Sequence, residues 1–377
     1  MTDQELHLLL EDMSLQEKID QLLQLTADFY GKTDRDVVTG PASELGISME
    51  DIDLAGSVLN GTGAKALMQI QDAYINRHPH HIPLLFMMDV IHGYRTIFPA
   101  PIAQGASFDP EMSQKAASIA AREASAAGIH VVFSPMVDLV RDPRWGRVME
   151  STGEDPYLNS RFAAAQIHGF QGDDMKEDGK VCGCIKHFAG YGGAEAGREY
   201  NTVQVSEHTF REYYLPSYEA GIKAGAGMVM TSFNTVNDIP ATINQKLMRQ
   251  MLREEMGFDG VLISDYAAIL ETVAHGASSD KKDAAHKALL AGVDIDMMTG
   301  CYAGELAKLV KEGTIPESLI DESVLRILQL KNQLGLFEHP HKDADPEKEA
   351  RYILCSKHRA LAREAAAASC VLLKNDG

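Results

Sequence analysis

The sequence predicts an α/β protein built as a closed (β/α)8, TIM-like barrel, and three observations lead there. Short apolar segments alternate with longer amphipathic ones over most of the length, the pattern of a parallel sheet with helical crossovers rather than a sandwich or a bundle. The apolar segments number eight, the count at which such a sheet closes on itself. Several of them end in an ionisable residue, and the carboxyl edge of a parallel sheet is where ligands are met.

The strands are expected at 22–26, 56–60, 84–90, 131–138, 181–188, 228–233, 261–266 and 293–298. The first reads two ways, because Ile19, Leu22, Leu23 and Leu25 also suit a helix continuing from the capping box Ser14-Leu15-Gln16-Glu17. Asp109-Pro110 caps and opens a helix that Gly128 closes, and Ser206 opens another that Gly225 closes. Asn244 heads an amphipathic segment carrying Leu247, Met251 and Leu252, with Gly257 where a left-handed terminal residue is wanted. Val261-Leu262-Ile263 then runs continuously apolar, as a strand covered on both faces should, so Asp265 is expected to emerge at its carboxyl end.

After the eighth strand come helical stretches at 304–311 and 316–334. The polar, proline-bounded run His339-Pro340-His341-Lys342-Asp343-Ala344-Asp345-Pro346 reads as a linker. Beyond it, 356–369 reads as an alanine-rich helix and Cys370-Val371-Leu372-Leu373 as a strand. One helix and one strand cannot bury a core of their own. The expected division is therefore a barrel over 1–337, a linker over 338–350, and over 351–377 the beginning of a second, truncated domain.

A chain of 377 residues exceeds the usual single-core range, but such a barrel can occupy most of it. With 45% hydrophobic and 24% charged residues the chain has the composition of a globular protein with a substantial core. The net charge of −19 disfavours nucleic acid and anionic membranes as partners and fits a neutral or cationic small ligand. No apolar run is long enough to span a bilayer, and Met1-Thr2-Asp3-Gln4-Glu5 lacks the basic start of a secretion signal, so a cytoplasmic location is expected unless a leader was trimmed. Five cysteines, an odd number, suit reduced thiols. Cys182 and Cys184 read as buried core thiols, and His78-Pro79-His80-His81 as a solvated loop, in preference to metal sites.

Asp89, Asp138, Lys186, His187 and Asp265 fall at the carboxyl ends of different strands. Each aspartate has a bland reading as the N-cap of the next helix. Their convergence on one mouth weighs against it, since gathered charges are costly unless they pair or bind something. Lys186 and His187 are adjacent, so one is expected to line the pocket and the other to pack outside. Gly190, Gly192 and Gly193 follow in a turn where backbone can approach a ligand or adopt unusual angles, without any phosphate-loop pattern. The loop Asp138 to Arg147 holds three arginines and the only tryptophan. Planar donor forks and an apolar ring face together suit a sugar-like ligand, while arginines tied to Glu150, Glu154 and Asp155 would be structural. Both readings are expected, of different arginines.

The runs Asp89-Val90-Ile91-His92-Gly93, Arg141-Asp142-Pro143-Arg144-Trp145-Gly146-Arg147, Gly153-Glu154-Asp155-Pro156, Lys186-His187-Phe188, Gly257-Phe258-Asp259-Gly260 and Ser264-Asp265 together resemble glycoside hydrolase family 3, in particular its multidomain β-glucosidase-like members. Val371-Leu372-Leu373-Lys374-Asn375 is similar to the start of that family's second, α/β-sandwich domain. The resemblance implies a retaining exo-β-glycosidase, β-glucosidase-like, that releases terminal non-reducing β-linked glucose through a covalent glycosyl-enzyme on Asp265. It implies that Asp89, Arg147, Lys186 and His187 hold the sugar of the first subsite, that Arg95 and Met230 line it further, that Tyr266 flanks the leaving-group subsite and bears on aglycone or linkage preference, and that the acid/base glutamate belongs to the second domain. Glu150, Glu154 and Glu199 are local carboxyls, the first two read as loop-structuring and the third as exposed.

Two positions depart from the family pattern: Phe233 stands where many members carry tyrosine, and Tyr266 where tryptophan is common. The turn Gly190-Tyr191-Gly192 after Lys186-His187 carries no histidine, unlike the single-domain N-acetylglucosaminidase branch. A two-carboxylate mechanism needs no metal or organic cofactor. The expected partners are a β-linked oligosaccharide or glucoside and the remainder of the second domain, with a homo-oligomer left open. Two other classes remain: a Schiff-base lyase of aldolase type using Lys186, and a non-catalytic carbohydrate-binding barrel.

Overall fold

The computed structural model describes residues 1–30 and 45–377. Its barrel strands are β1 (Leu23–Thr26), β2 (Ser57–Leu59), β3 (Leu85–Met88), β4 (Val131–Val132), β5 (Cys182–Phe188), β6 (Met228–Thr231), β7 (Val261–Ile263) and β8 (Asp296–Met297). Each is parallel to its sequence neighbour, and β1 pairs with β8. A bridge between Ile263 and Ile295 joins β7 to the residue before β8, which closes the ring. All eight expected strands are present, with shorter ladders.

The ambiguous first segment divides cleanly. Ser14 forms the expected capping box with Glu17, the helix Leu15–Gln21 ends, and β1 begins two residues later. Gly56 makes this junction tight: its N–H donates to the Asp20 carbonyl at 2.9 Å, and a Cβ there would fall 2.1 Å from the Gln21 carbonyl oxygen. Asp109 and Ser206 cap their helices as expected, and Gly128, Gly225 and Gly257 take positive φ. Asn244 accepts the Leu247 N–H at 3.3 Å ahead of Lys246–Glu255, which is wound as a π-helix.

The expected strand at 131–138 breaks after Val132 because Pro135 has no N–H to give the ladder. The chain nevertheless continues beside β5, with the Lys186 N–H on the Pro135 carbonyl and the Val137 N–H on the Lys186 carbonyl. Asp138 is thereby set against His187. The loops that follow β5 and β6 themselves form a small sheet of Thr202–Val203, Thr235–Val236 and Ile239–Pro240, which the sequence did not announce.

Three expectations are corrected. The histidine run is a turn with Pro79 and His81 exposed, as expected, but not at its first residue: His78 is 1% exposed, packs on Tyr74 and faces Gln21, and burial pushes its imidazole down to about 3. The linker is strapped to the barrel, with Asp343 accepting the Gly179 N–H, Gln71 donating to the Pro340 carbonyl, and Glu349 capping Ala64. The helix Ser356–Ala368 forms, and buried His358 meets buried Glu123 at 2.8 Å. Cys370 to Leu373 forms no strand, because no free sheet edge among the described residues meets it; Leu373 is 91% exposed. No helix among the described residues is long and apolar enough to cross a membrane.

Candidate active site

Asp265 lies two residues beyond β7, where the backbone leaves the barrel. Its N–H reaches Thr231 Oγ1 at 3.4 Å and its Oδ1 accepts the Tyr266 N–H at 2.7 Å. Ala267, in the left-handed region, opens the following helix Ala268–Ala274, so Asp265 is not that helix's cap. Its Oδ2 is buried with no hydrogen-bond partner among the described residues, and His187 Nε2 lies 3.6 Å away. Burial raises the Asp265 carboxyl from 3.8 to about 6, against the opposing pull of Lys186, the Tyr266 N–H and Arg147.

Both Lys186 and His187 face the mouth, contrary to the expected alternation. The register shifts between Ile185 and Phe188, and this irregularity frees the two side chains from opposite faces. Lys186 Nζ donates to Asp89 Oδ1 at 2.5 Å; the lysine side chain is buried, whereas that of Asp89 is 52% exposed toward solvent. Neither Asp89 nor Asp138 serves as an N-cap.

Asp138 is instead an anchor for His187. Its Oδ2 accepts the His187 N–H at 3.0 Å and faces Nδ1 at 2.8 Å, and its Oδ1 accepts the Tyr218 hydroxyl at 2.7 Å. Burial pushes the Asp138 carboxyl up to about 7, while it drives the imidazole well below its ordinary value, so the ring is neutral. With Nδ1–H given to the carboxylate, Nε2 is an acceptor facing Asp265 Oδ2. Each of these two acceptors, 3.6 Å apart, is open to a donor from a ligand, such as a sugar hydroxyl. Asp138→Asn is expected to release this tautomer and cost about 1.5–3 kcal/mol in sugar binding, a roughly ten- to hundredfold weaker Kd for glucose by calorimetry.

Arg147 forms a fork with Glu150 at 2.7 and 2.9 Å and lies over the Tyr191 ring, keeping further N–H donors for a ligand. Arg144 pairs with Asp142, and Arg141 covers Tyr213. Asp155 caps the helix Pro156–Gln171, and Glu154 is exposed, so of the three carboxylates only Glu150 holds an arginine. Trp145 offers no face to a ligand: it is 2% exposed, packs edge-on to Tyr191 and donates Nε1–H to Glu199 at 2.6 Å. Glu199 is exposed as expected, but it also accepts the Tyr191 hydroxyl, which makes it a clasp. The glycine turn approaches protein, not ligand, since a Cβ on Gly192 would fall 2.1 Å from the Leu139 carbonyl oxygen.

Two expected lining residues, Met230 and Arg95, sit differently, whereas Tyr266 stays beside Asp265. Met230 is in β6, paired with Ile263 and buried in the barrel core. Arg95 is exposed and stacked over Tyr94, with no contact joining it to the Asp265 group among the described residues. Tyr266 holds Asp265 through its backbone and leaves its ring 51% exposed. Residues that sequence reasoning missed are Tyr191, Tyr200, Tyr218 and Glu271. Tyr218 sits among ordinary helix residues, and only the need of a buried phenol for a partner could have flagged it. Among the described residues no set of three or more His, Cys, Asp or Glu side chains gathers as metal ligands.

A model of the glycosyl hydrolase family 3 N-terminal domain matches residues 14–330. The periplasmic β-glucosidase of Salmonella typhimurium is 37% identical, over 97% of this chain and 47% of the relative. A β-xylosidase of Formosa agariphila is 37% identical, over 76% of this chain and 41% of the relative. Crystal structures of Listeria innocua β-glucosidase are 49% identical and cover all of this chain; the complex with isofagomine superposes with a TM-score of 0.95 and that with glucose with 0.96. The chain spans about half the length of these relatives, 52% of the Listeria protein. Match length, identity and superposition agree with the residues around Asp265, and the chain belongs to glycoside hydrolase family 3.

Proposed function

We propose that this chain supplies the sugar-binding and nucleophilic half of a retaining exo-β-glycosidase acting on terminal β-linked glucose. The observation that carries this reading is Asp265 Oδ2: a buried, unbonded carboxylate oxygen facing His187 and ringed by Lys186, Asp89 and Arg147. Such a group is poised to attack an anomeric carbon. As the Oδ2–carbon bond forms, the glycosidic bond breaks and its electrons leave with the aglycone oxygen. Water then cleaves the ester and restores the β configuration. Asp89 accepts sugar hydroxyls, Lys186 and Arg147 donate to the ring, and His187 accepts through Nε2.

Retention requires a second carboxyl roughly 5–5.5 Å from the nucleophile. Glu150 is engaged by Arg147, and Glu199 by Tyr191 and Trp145, so we assign that role to a following α/β-sandwich domain that begins within 351–377. The length of the relatives supports this. Lys186 as a Schiff-base nucleophile is disfavoured by its 2.5 Å pairing with Asp89. A cytoplasmic location belongs to the same proposal and is tested by cell fractionation. Relatives named both β-glucosidase and β-xylosidase leave the sugar to be settled by comparing kcat/KM for aryl glucosides and aryl xylosides.

The nucleophile must be ionised. Its carboxyl titrates at about 6, so kcat/KM for an activated aryl glucoside is expected to fall below that pH, about tenfold per unit. An acid limb near 4 would instead mean that Asp265 is not desolvated in the free enzyme.

A further inference from the structure

We propose that Tyr200 is the platform on which the leaving group of the substrate rests, which makes it a specificity-determining residue for the part of the substrate beyond the cleaved bond; the inference rests on the glycosidase reading of Asp265. The chain around Tyr200 is fixed on both sides. Just before it, Glu199 is clasped by the Tyr191 hydroxyl and by Trp145 Nε1. Just after it, Thr202–Val203 pairs with Thr235–Val236. Between these anchors Tyr200 adopts φ +60°, an outlier for an aromatic residue that persists only where the surroundings impose it.

The result is an aromatic ring that is packed on protein and still substantially exposed. The Tyr200 ring centroid lies 4.5 Å from that of Phe233, yet the residue remains 45% exposed. Phe233 packs with Tyr191 and belongs to the same small apolar cluster as Ala268, whose N–H is bonded to the Asp265 carbonyl at 3.0 Å, so the ring's seat adjoins the nucleophile's own backbone. Burial raises the Tyr200 phenol above its ordinary value, and the carboxylates of Glu271, Asp265 and Glu199 add to the rise. Tyr266, 51% exposed, stands next to Asp265 in sequence. Exposed rings beside a carboxylate that attacks a sugar offer apolar faces to an aryl or sugar leaving group.

The test compares two reagents that deliver the same sugar with different leaving groups: 2,4-dinitrophenyl 2-deoxy-2-fluoro-β-glucoside and 2-deoxy-2-fluoro-β-glucosyl fluoride. In each, the Asp265 carboxylate forms the glycosyl ester and expels dinitrophenolate or fluoride, and intact mass follows the labelling rate of the 377-residue chain. Tyr200→Ala is expected to slow labelling by the dinitrophenyl compound about tenfold and to leave labelling by the fluoride within about twofold. Tyr200→Phe, which keeps the ring, should match the unsubstituted chain with both. Equal loss with both reagents in Tyr200→Ala, or no loss with either, overturns the platform while leaving the nucleophile intact. Failure of both reagents to label the unsubstituted chain overturns the glycosidase reading, and the platform with it.

Discussion

Replacing Asp265 with asparagine is expected to lower kcat/KM for 2,4-dinitrophenyl β-glucoside by on the order of 10^5, the scale on which nucleophiles act, and at the same time to stabilise the protein. The second effect follows from the sign of the pKa shift. A carboxyl raised from 3.8 to about 6 binds its proton more tightly in the folded state, so its ionised form opposes folding. That penalty is fully present above about pH 6, shrinks as pH falls, and is gone below the unfolded value of 3.8. Asp265→Asn should therefore unfold at higher denaturant at pH 7, by about 2–3 kcal/mol, and converge on the unsubstituted chain below pH 4. A loss of stability at pH 7 would show that Asp265 is a structural carboxylate with its bonds satisfied.

The second large effect concerns the leaving group. If the acid/base carboxyl lies outside residues 1–377, this chain alone forms the glycosyl-enzyme from an activated glucoside but resolves it slowly. Dinitrophenyl β-glucoside should give a burst near one dinitrophenolate per chain, and azide, which attacks the ester without base assistance, should speed turnover. Cellobiose, whose leaving oxygen needs a proton, should be cleaved about 10^2–10^4-fold more slowly than by a protein that includes the following domain. Full activity on cellobiose from the isolated chain contradicts this. Glu271 is the internal control: it is half-buried on the helix after Asp265, and burial raises its carboxyl. Glu271→Gln is expected to leave both rates within about threefold; a selective loss on cellobiose would transfer the acid role to it.

The barrel was legible because its signals are local and repeated. Continuous apolar runs such as Val261-Leu262-Ile263, caps such as Asp109, and glycines such as Gly128 each state their element without reference to the rest of the chain. The strand ends carried the site for the same reason, which is why Asp89, Lys186, His187 and Asp265 could be named together. What sequence could not supply is direction and partnership. Alternation put Lys186 and His187 on opposite faces, and only the register shift brings both to the mouth. Trp145 and the arginines were a plausible sugar surface until Glu199, more than fifty residues on, was seen to hold the indole N–H. Asp138 has the spacing of a cap, and its role as the anchor of His187 depends on Pro135 steering the chain along β5. Tyr200 is one tyrosine among 12 until its backbone angle and its seat on Phe233 single it out.

The central claim is that Asp265 is a nucleophile that forms a covalent bond to glucose. Incubating the 377-residue chain with 2,4-dinitrophenyl 2-deoxy-2-fluoro-β-glucoside, digesting it and sequencing the modified peptide by mass spectrometry tests that claim most directly. The expected result is a single fluoroglucosyl ester on Asp265, absent from Asp265→Asn. A stable adduct on Glu199, Glu271 or Lys186, or an unmodified protein that nevertheless binds glucose, would contradict it.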